Sequence, residues 1–121
     1  MRENVEEMPD HCTIEAAMAV LGGKWKLVIL NHLFPGPQRF GELKRALNGI
    51  TQRMLTRQLR ELEADGLVVR TIYREVPPKV EYSLTEAGRS LEDIAYQLDN
   101  WGRWYRDNLA GDQQGTRPSD G

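Results

Sequence analysis

The sequence predicts a small α+β domain, mainly α-helical with one β-hairpin, and three observations lead to this prediction. Leucines recur at helical spacing through residues 52–65, which is typical of an amphipathic helix with one buried face. A run rich in β-branched and aromatic residues follows at 67–74, and a similar run occupies 80–84. The pair Pro77-Pro78 between these runs cannot pair within a sheet, so it marks the tip of the hairpin.

The first two helices are bounded by clear start and stop signals. A first helix begins at Thr13, a good N-cap, and ends before the glycine pair at 22–23. A second helix covers residues 24–34 and ends at the Pro-Gly-Pro run at 35–37. The apolar residues at helical spacing in the first helix are Ile14, Ala17, Met18 and Leu21. Those expected on the buried side of the second are Trp25, Val28, Ile29 and Leu33.

Two further short helices follow, joined by a tight turn. The third helix covers residues 40–47, and the Asn-Gly pair at 48–49 forms the turn. The fourth helix is capped by Thr51, runs through residues 52–65 and ends at Gly66, a well-placed C′ glycine. The residues that we expect these two helices to bury are Phe40, Leu43, Leu47, Leu55, Leu59 and Leu62.

A long final helix is predicted from residue 86 to residue 109, and it carries more apolar surface than a small domain needs. Its apolar residues step by four and three, as in a heptad seam, and Trp104 widens the seam. Because the leucines around residues 40–65 already supply a core, this surplus surface implies a partner. A second copy of the chain is the natural one, with help from the first helix. The expected dimer-interface residues are Leu91, Ile94, Leu98, Trp101 and Tyr105.

Length and composition restrict the class of protein. A chain of 121 residues has room for one domain, which we place at residues 12–109 between tails at 1–11 and 110–121 that we expect to be disordered. No apolar run approaches the ~20 residues that span a bilayer, and no apolar signal core is present, so a cytoplasmic location is expected. The two histidines have no metal-ligand spacing and no phosphate-binding glycine loop occurs. We therefore expect no enzyme, cofactor or metal.

Charge is distributed unevenly along the chain. The net charge is −2, yet residues 38–60 hold six basic side chains and one acid. Residues 1–23 hold one arginine against five acids. A local basic patch attracts a polyanion even when the total charge is negative, although a basic helix can also be merely a solvated face. Just beyond the patch we predict a solvated helix end, which contains three acids: Glu61, Glu63 and Asp65.

The order of elements is that of a winged helix-turn-helix, which makes duplex DNA the leading partner. The helix at 52–65 is the candidate recognition helix, because its exposed N-terminal residues can reach base edges in the major groove. Arg60 lies farther along, where phosphate is the better partner, and Arg74 and Lys79 flank the hairpin tip. The candidate DNA-binding residues are Thr51, Gln52, Arg53, Thr56, Arg57, Arg60, Arg74 and Lys79. A protein-interaction module that binds an acidic partner remains the alternative.

The motifs of this chain resemble those of a known family, the HxlR family of bacterial transcriptional regulators, which is related to the MarR-type winged-helix proteins. The resemblance covers about residues 12–105, and its motifs are GGKW at 22–25, RFGELKRAL at 39–47, ITQRMLTRQLRELEADGLV at 50–68, VEYSLTEAG at 80–88, and Trp101. It implies a homodimer that binds operator DNA and controls nearby genes as a repressor or activator. It also implies that residues 51–57 hold the DNA contacts of the recognition helix, and that Arg74 and Lys79 lie on the wing.

The single cysteine, Cys12, has two interpretations. From its chemistry alone it is a small residue before the first helix, where the helix dipole favours a thiolate but nearby acids oppose it. The resemblance implies a second role, because some family members sense electrophiles or oxidants through a cysteine at this position. In many of them proline follows the cysteine, whereas Thr13 follows it here. With one cysteine, an intersubunit Cys12–Cys12 bond or capping by a small thiol is what the chain permits. A small-molecule or electrophile inducer is therefore a further expected partner.

Overall fold

A computed structural model describes residues 13–110, so the predictions for residues 1–11, for Cys12 and for the tail beyond residue 110 lie outside the described residues. The chain divides into two compact units, Met1–Ser90 and Leu91–Gly121. The elements of the first unit are α1 (Thr13–Leu21), α2 (Lys26–Leu33), α3 (Phe40–Ala46), α4 (Gln52–Ala64), β1 (Val68–Tyr73), β2 (Lys79–Leu84) and α5 (Glu86–Arg89). The second unit contains α6 (Glu92–Tyr105) and a π-helical segment, Arg106–Ala110. The predicted fold class, mainly α with a small hairpin, is confirmed.

Leucine side chains dominate the core of the first unit. The three leucines at helical spacing on α4 are fully buried, as their spacing predicts, and α2 and α3 contribute further buried apolar residues to the same unit. Burying one such side chain stabilises a fold by about 1.5–3 kcal/mol, so this cluster holds the helices of the unit together. The buried apolar residues are Leu21, Ile29, Leu30, Leu33, Leu43, Leu47, Ile50, Leu55, Leu59, Leu62, Leu67 and Val68.

Both ends of α4 are closed by the residues that the sequence suggests. The Thr51 hydroxyl accepts a hydrogen bond of 3.0 Å from the Met54 amide, which satisfies one of the free N–H groups at the helix start. At the other end Gly66 has a φ of +79°, in the left-handed region that favours glycine. The Leu67 amide then donates to the Leu62 carbonyl at 3.0 Å, completing a Schellman motif. Local signals therefore fix the length of α4.

The hairpin is antiparallel and attached to the helices at several points. Its register runs from Val68 opposite Leu84 to Tyr73 opposite Lys79, so residues 74–78, including the two prolines, form the tip as predicted. Gln38, just before α3, exchanges two backbone hydrogen bonds with Tyr82 of β2, at 3.0 and 2.8 Å. This bridge joins the helical part of the unit to the hairpin.

Thr85 closes the base of the hairpin. Its hydroxyl donates to the Gly66 carbonyl at 2.6 Å and accepts from the Gly88 amide at 3.0 Å, so it also caps α5. Its own amide donates to the Leu67 carbonyl at 3.0 Å. The chain entering β1 and the chain leaving β2 are therefore held together by one residue.

The predicted buried side of α2 was partly wrong. The helix begins at Lys26, two residues later than predicted, and Val28 is exposed, whereas Lys26 is buried together with Ile29, Leu30 and Leu33. Trp25 precedes the helix and is half-buried, as is Phe40 at the start of α3. A lysine is buried only where its ammonium finds a partner, and spacing alone gives no sign of that partner.

The prediction of one helix over residues 86–109 was wrong, because the helix is interrupted at Ser90 and Leu91. The Ser90 hydroxyl donates to the Ala87 carbonyl at 2.6 Å, the acceptor that the Leu91 amide would need in a continuous α-helix. A π-helical segment, Arg106–Ala110, follows α6. The predicted heptad seam therefore belongs to α6 and its flanks and does not extend into α5.

We expect Gly88→Ala to lower the free energy of unfolding by about 1–3 kcal/mol, a range typical of overpacking. A Cβ at this position would lie 2.2 Å from the Leu67 carbonyl oxygen, the acceptor of the Thr85 amide, and backbone cannot move aside cheaply. Urea denaturation measures the change. Gly36→Ala is the matched control, since its Cβ meets nothing within 4 Å. Equal losses in both variants would contradict the steric explanation.

Candidate nucleic-acid interface

The outer face of α4, opposite its buried leucines, carries basic and polar side chains. Arg53, Arg57 and Arg60 are exposed, and the first turn of the helix contains no acid. The structure brings most of the predicted helix contacts together around one open surface depression, and adds a carboxylate to them. The residues lining it are Gln52, Arg53, Thr56, Arg57, Arg60 and Glu61. Thr51 lies at the start of the same helix, where it acts as the cap.

The Thr56 hydroxyl already donates a hydrogen bond within α4. It donates to the Gln52 carbonyl at 2.9 Å, one helical turn earlier. A hydroxyl has one proton and two acceptor positions, so the oxygen of Thr56 can still accept a hydrogen bond from a ligand. On a DNA base edge, this chemistry suits the amino groups of adenine or cytosine.

Glu61 connects the basic face to the core. One carboxylate oxygen accepts from the Lys26 ammonium of α2, and the other lies 3.8 Å from the Arg57 Nε. The Lys26 side chain is 7% exposed, that of Glu61 38% and that of Arg57 70%. A chain of alternating charges therefore runs from the buried interior to the surface of α4.

The prediction that Glu61, Glu63 and Asp65 form a solvated helix end was wrong. Asp65 is buried, and the Glu63 carboxylate lies 3.6 Å from the Arg70 Nε of β1. Glu61 and Glu63 thus lie on opposite flanks of α4, each paired with a cation from a neighbouring element. Sequence reasoning missed these pairs because the partners are far away along the chain. The only local signal was the position of Glu61 four residues after Arg57.

The predicted wing residues lie at the far end of the hairpin and do not join the depression on α4. Arg74 is exposed in the tip. Lys79 is held more closely: its ammonium lies 4.7 Å from the centre of the Tyr73 ring and 3.5 Å from the Glu81 carboxylate. Lys79 therefore has partners in the free protein that a ligand would have to replace.

Tyr82 lies on the hairpin beside these ion pairs. Burial raises the pKa of its phenol above the usual value, and the nearby Arg70 guanidinium offsets part of that rise. Glu63 adds to the increase, and Arg60 opposes it. A tyrosine phenol is neutral at physiological pH even at its ordinary pKa, and the raised pKa of Tyr82 extends this to higher pH, so it adds no negative charge beside α4.

The second unit exposes a broad apolar surface. No residue of α6 is buried, and Leu98 and Trp101 are 49% and 58% exposed. The Trp101 ring stacks on that of Tyr105 at 5.2 Å between centroids, and Trp104 lies 6.4 Å from Trp101. In the first unit, α1 likewise exposes Ile14 and Met18. Leu98, Trp101 and Tyr105 belong to the dimer interface predicted from the sequence. Of its other two residues, Ile94 is exposed and Leu91, just before α6, is half-buried.

Within residues 13–110, no cluster of three or more histidine, cysteine, aspartate or glutamate side chains could hold a metal ion. None of the helices in this part of the chain has the length and apolar character to cross a membrane. His32, near the end of α2, is half-buried.

Known proteins show the same motifs and fold. YybR of Bacillus subtilis (strain 168), an HTH-type transcriptional regulator, is 52% identical over 108 residues, covering 89% of this chain and 86% of YybR. The structure of the redox regulator HypR in its reduced form matches with a TM-score of 0.77 and 55% identity, over 81% of this chain and 97% of HypR. Its oxidised form matches with a TM-score of 0.73 and 56% identity, over 76% and 95% of the two chains.

The family assignment follows from the extent of these matches. The model of the HxlR-like helix-turn-helix family matches residues 20–110, which include α2 to α6 and the hairpin between them. The relatives match over nearly their full length and are named as transcriptional regulators. This chain belongs to the HxlR-like helix-turn-helix family of transcriptional regulators.

Proposed function

We propose that this regulator reads operator DNA by inserting α4 into the major groove. The observation that carries the proposal is the outer face of α4, where three exposed arginines lie opposite fully buried leucines. A helix fixed in this way presents its side chains in a rigid arrangement, as base reading requires. The six basic residues within 38–60 also create a local positive field on a chain whose net charge is −2.

The chemistry of the outer face divides into base reading and phosphate binding. Arg53 and Arg57 suit guanine, which offers two acceptors to one guanidinium, and Gln52 suits adenine. Thr56 accepts from an amino group, since its proton is used within the helix. Arg60 is assigned to phosphate, with Arg74 and Lys79 contacting the backbone or minor groove from the wing. Thr51 presents its backbone at the start of the helix.

We expect Arg53→Ala to weaken binding to the selected DNA by about 1–3 kcal/mol and to relax the preference at one base pair. Arg53→Lys is the matched variant: it keeps the charge and therefore the affinity for random DNA, but loses the two-pronged contact. Titrations of labelled duplexes from the protein's own upstream region and of random sequence, at two salt concentrations, measure both quantities. Equal loss on both DNAs in Arg53→Ala, with full recovery in Arg53→Lys, would make Arg53 a phosphate contact.

The second part of the proposal is a homodimer formed through α6, with α1 contributing. Apolar surface of the extent seen on α6 is normally covered by a partner in a water-soluble protein. A two-fold dimer also presents two recognition helices to half-sites about one helical turn apart, ~34 Å. The symmetry of the protein would then match a palindromic operator.

We expect Leu98→Asp to convert the dimer into a monomer and to weaken operator binding. Tyr96→Asp is the matched control, because Tyr96 is also exposed but lies about 200° around α6 from Leu98 at 3.6 residues per turn. Sedimentation equilibrium over a range of concentrations gives the mass of each variant. A Leu98→Asp protein that keeps the mass of the wild type would place the interface elsewhere.

The third part of the proposal is control by thiol oxidation at Cys12. The likeness to HypR, whose reduced and oxidised forms are both known, supports it, as does the presence of one cysteine directly before α1. Two Cys12 thiolates from two subunits would lose two electrons to an oxidant and form one disulfide, or each would be capped by a small thiol. A small-molecule or electrophile inducer is the remaining trigger.

We expect an oxidant to change operator binding of the wild type and to leave Cys12→Ser unaffected. Serine is close to cysteine in size but cannot form a disulfide. Non-reducing electrophoresis and DNA titration, before and after treatment with diamide, follow the crosslink and the binding together. If diamide alters DNA binding by the serine variant to the same extent, thiol control through Cys12 is excluded.

A further inference from the structure

We propose that Glu61 is a positioning residue, which holds Arg57 in a base-reading orientation while Lys26 holds Glu61. This inference rests on the proposed DNA-reading function, because it assigns these residues a part in sequence selectivity. The three residues come from two elements, α2 and α4, and Arg57 is the most exposed of the three.

Lys26 is the fixed point of the arrangement. It precedes the fully buried residues Ile29 and Leu30 on α2, and its own side chain is 7% exposed. A buried ammonium requires a counter-charge, because an unpaired buried charge strongly destabilises the folded protein. The Glu61 carboxylate provides that charge through Oε1. One oxygen of Glu61 is therefore anchored to the core.

The second oxygen of Glu61 restrains Arg57. Oε2 lies 3.8 Å from Nε of the guanidinium, on the side of the group nearest the helix. Because Nε is the guanidinium nitrogen that pairs with the carboxylate, the two terminal nitrogens are left for another partner, and a pair of guanidinium donors is what guanine binds. An arginine restrained in this way loses less rotamer freedom on binding than a free one, so the correct base gains more from the contact.

The negative charge of Glu61 opposes binding to any DNA. The effect of removing Glu61 therefore distinguishes a positioning role from a purely electrostatic one. A carboxylate on the DNA-facing helix lowers attraction to every phosphate backbone. If charge were its main effect, its removal would strengthen binding to all DNA equally. A positioning role predicts a loss of selectivity in addition: random DNA binds more tightly, while the preferred sequence loses its advantage.

Glu63→Gln is the control that the chain itself offers. Glu63 is on the same helix and also pairs with a cation, but its partner is Arg70 of the hairpin at 3.6 Å. Neutralising it changes the charge of α4 by the same amount as neutralising Glu61, without affecting a side chain of the base-reading face.

The test begins with a pool of DNA duplexes that share a randomised core, from which each protein variant enriches the sequences that it binds. The enriched duplex and the unselected pool are then titrated separately with each variant. For Glu61→Gln we expect a roughly three- to ten-fold loss of preference at the base pair that Arg57 contacts, within the range measured for coupled neighbours. Binding to the unselected pool should become tighter. In an Arg57→Ala background the same substitution should have no further effect on preference.

Lys26→Met is the second variant, and it keeps the inference testable if Glu61→Gln folds poorly. It removes the buried charge together with the anchor and leaves Glu61 in place, so it makes the protein one charge more negative. We expect the same loss of preference as in Glu61→Gln, but weaker binding to the unselected pool. Thermal unfolding of each variant verifies that the fold is retained.

Two results would overturn the inference. If Glu61→Gln and Lys26→Met enrich the wild-type sequence with unchanged preference, Arg57 needs no positioning by Glu61. If Glu63→Gln loses as much preference as Glu61→Gln, the loss does not depend on the contact with Arg57, and a positioning role of Glu61 is excluded. If the wild-type protein itself enriches no sequence, the proposed DNA-reading function is contradicted, and this inference, which rests on it, is contradicted as well.

Discussion

The burial of three leucines along one side of α4 is the constraint on which the rest of this structure depends. Leu55, Leu59 and Leu62 are fully buried, so α4 cannot rotate about its axis without exposing them. Once the rotation is fixed, the helical repeat alone decides that Arg53 and Arg57 face outward. The cap at Thr51 and the left-handed Gly66 fix the two ends in the same manner. The outward direction of the basic face is thus a consequence of packing.

The acidic residues of α4 form ion pairs that connect this helix to neighbouring elements of the fold. Glu61 and Glu63 lie on its two flanks, and each binds a cation of a different neighbour, α2 in one case and β1 in the other. Each pair joins two elements and at the same time neutralises a carboxylate that would repel phosphate. The outer face between them keeps its positive character although the whole chain is slightly acidic. Stability and electrostatic attraction to a polyanion are therefore served by the same side chains.

The features that the sequence predicts well are those with local causes. The bounds of α4, the hairpin and its tip follow from a cap, a leucine repeat, a glycine and two prolines, all of which act over a few residues. Lys26 could not be placed in the interior, because the carboxylate that neutralises it is 35 residues away. The interruption at Ser90 was equally hidden, since a serine hydroxyl in a helix can bond to water or to a backbone carbonyl.

The same distinction applies to the candidate interface. Five of the predicted helix contacts share one surface depression because helical periodicity puts them there. Glu61 was predicted to belong to a solvated helix end together with Glu63 and Asp65, and its pairing with the buried Lys26 of α2 left no sign in the local sequence. The pairing of Gln38 with Tyr82 was also beyond prediction, since one extended residue leaves no pattern in a sequence.

The way the hairpin is attached gives it the mechanics of a cantilever. Thr85 clamps its base, and Gln38 supports β2 at Tyr82, but the last three residue pairs before the tip lie beyond both supports. In a beam held at one end, displacement increases with distance from the clamp, so we expect thermal motion to be largest at residues 74–78. On the proposed mode of DNA binding, the tip would follow grooves of different width while the base of the hairpin and α4 keep their positions. Variation in the flanking DNA would then be absorbed by the hairpin tip and not transmitted to α4.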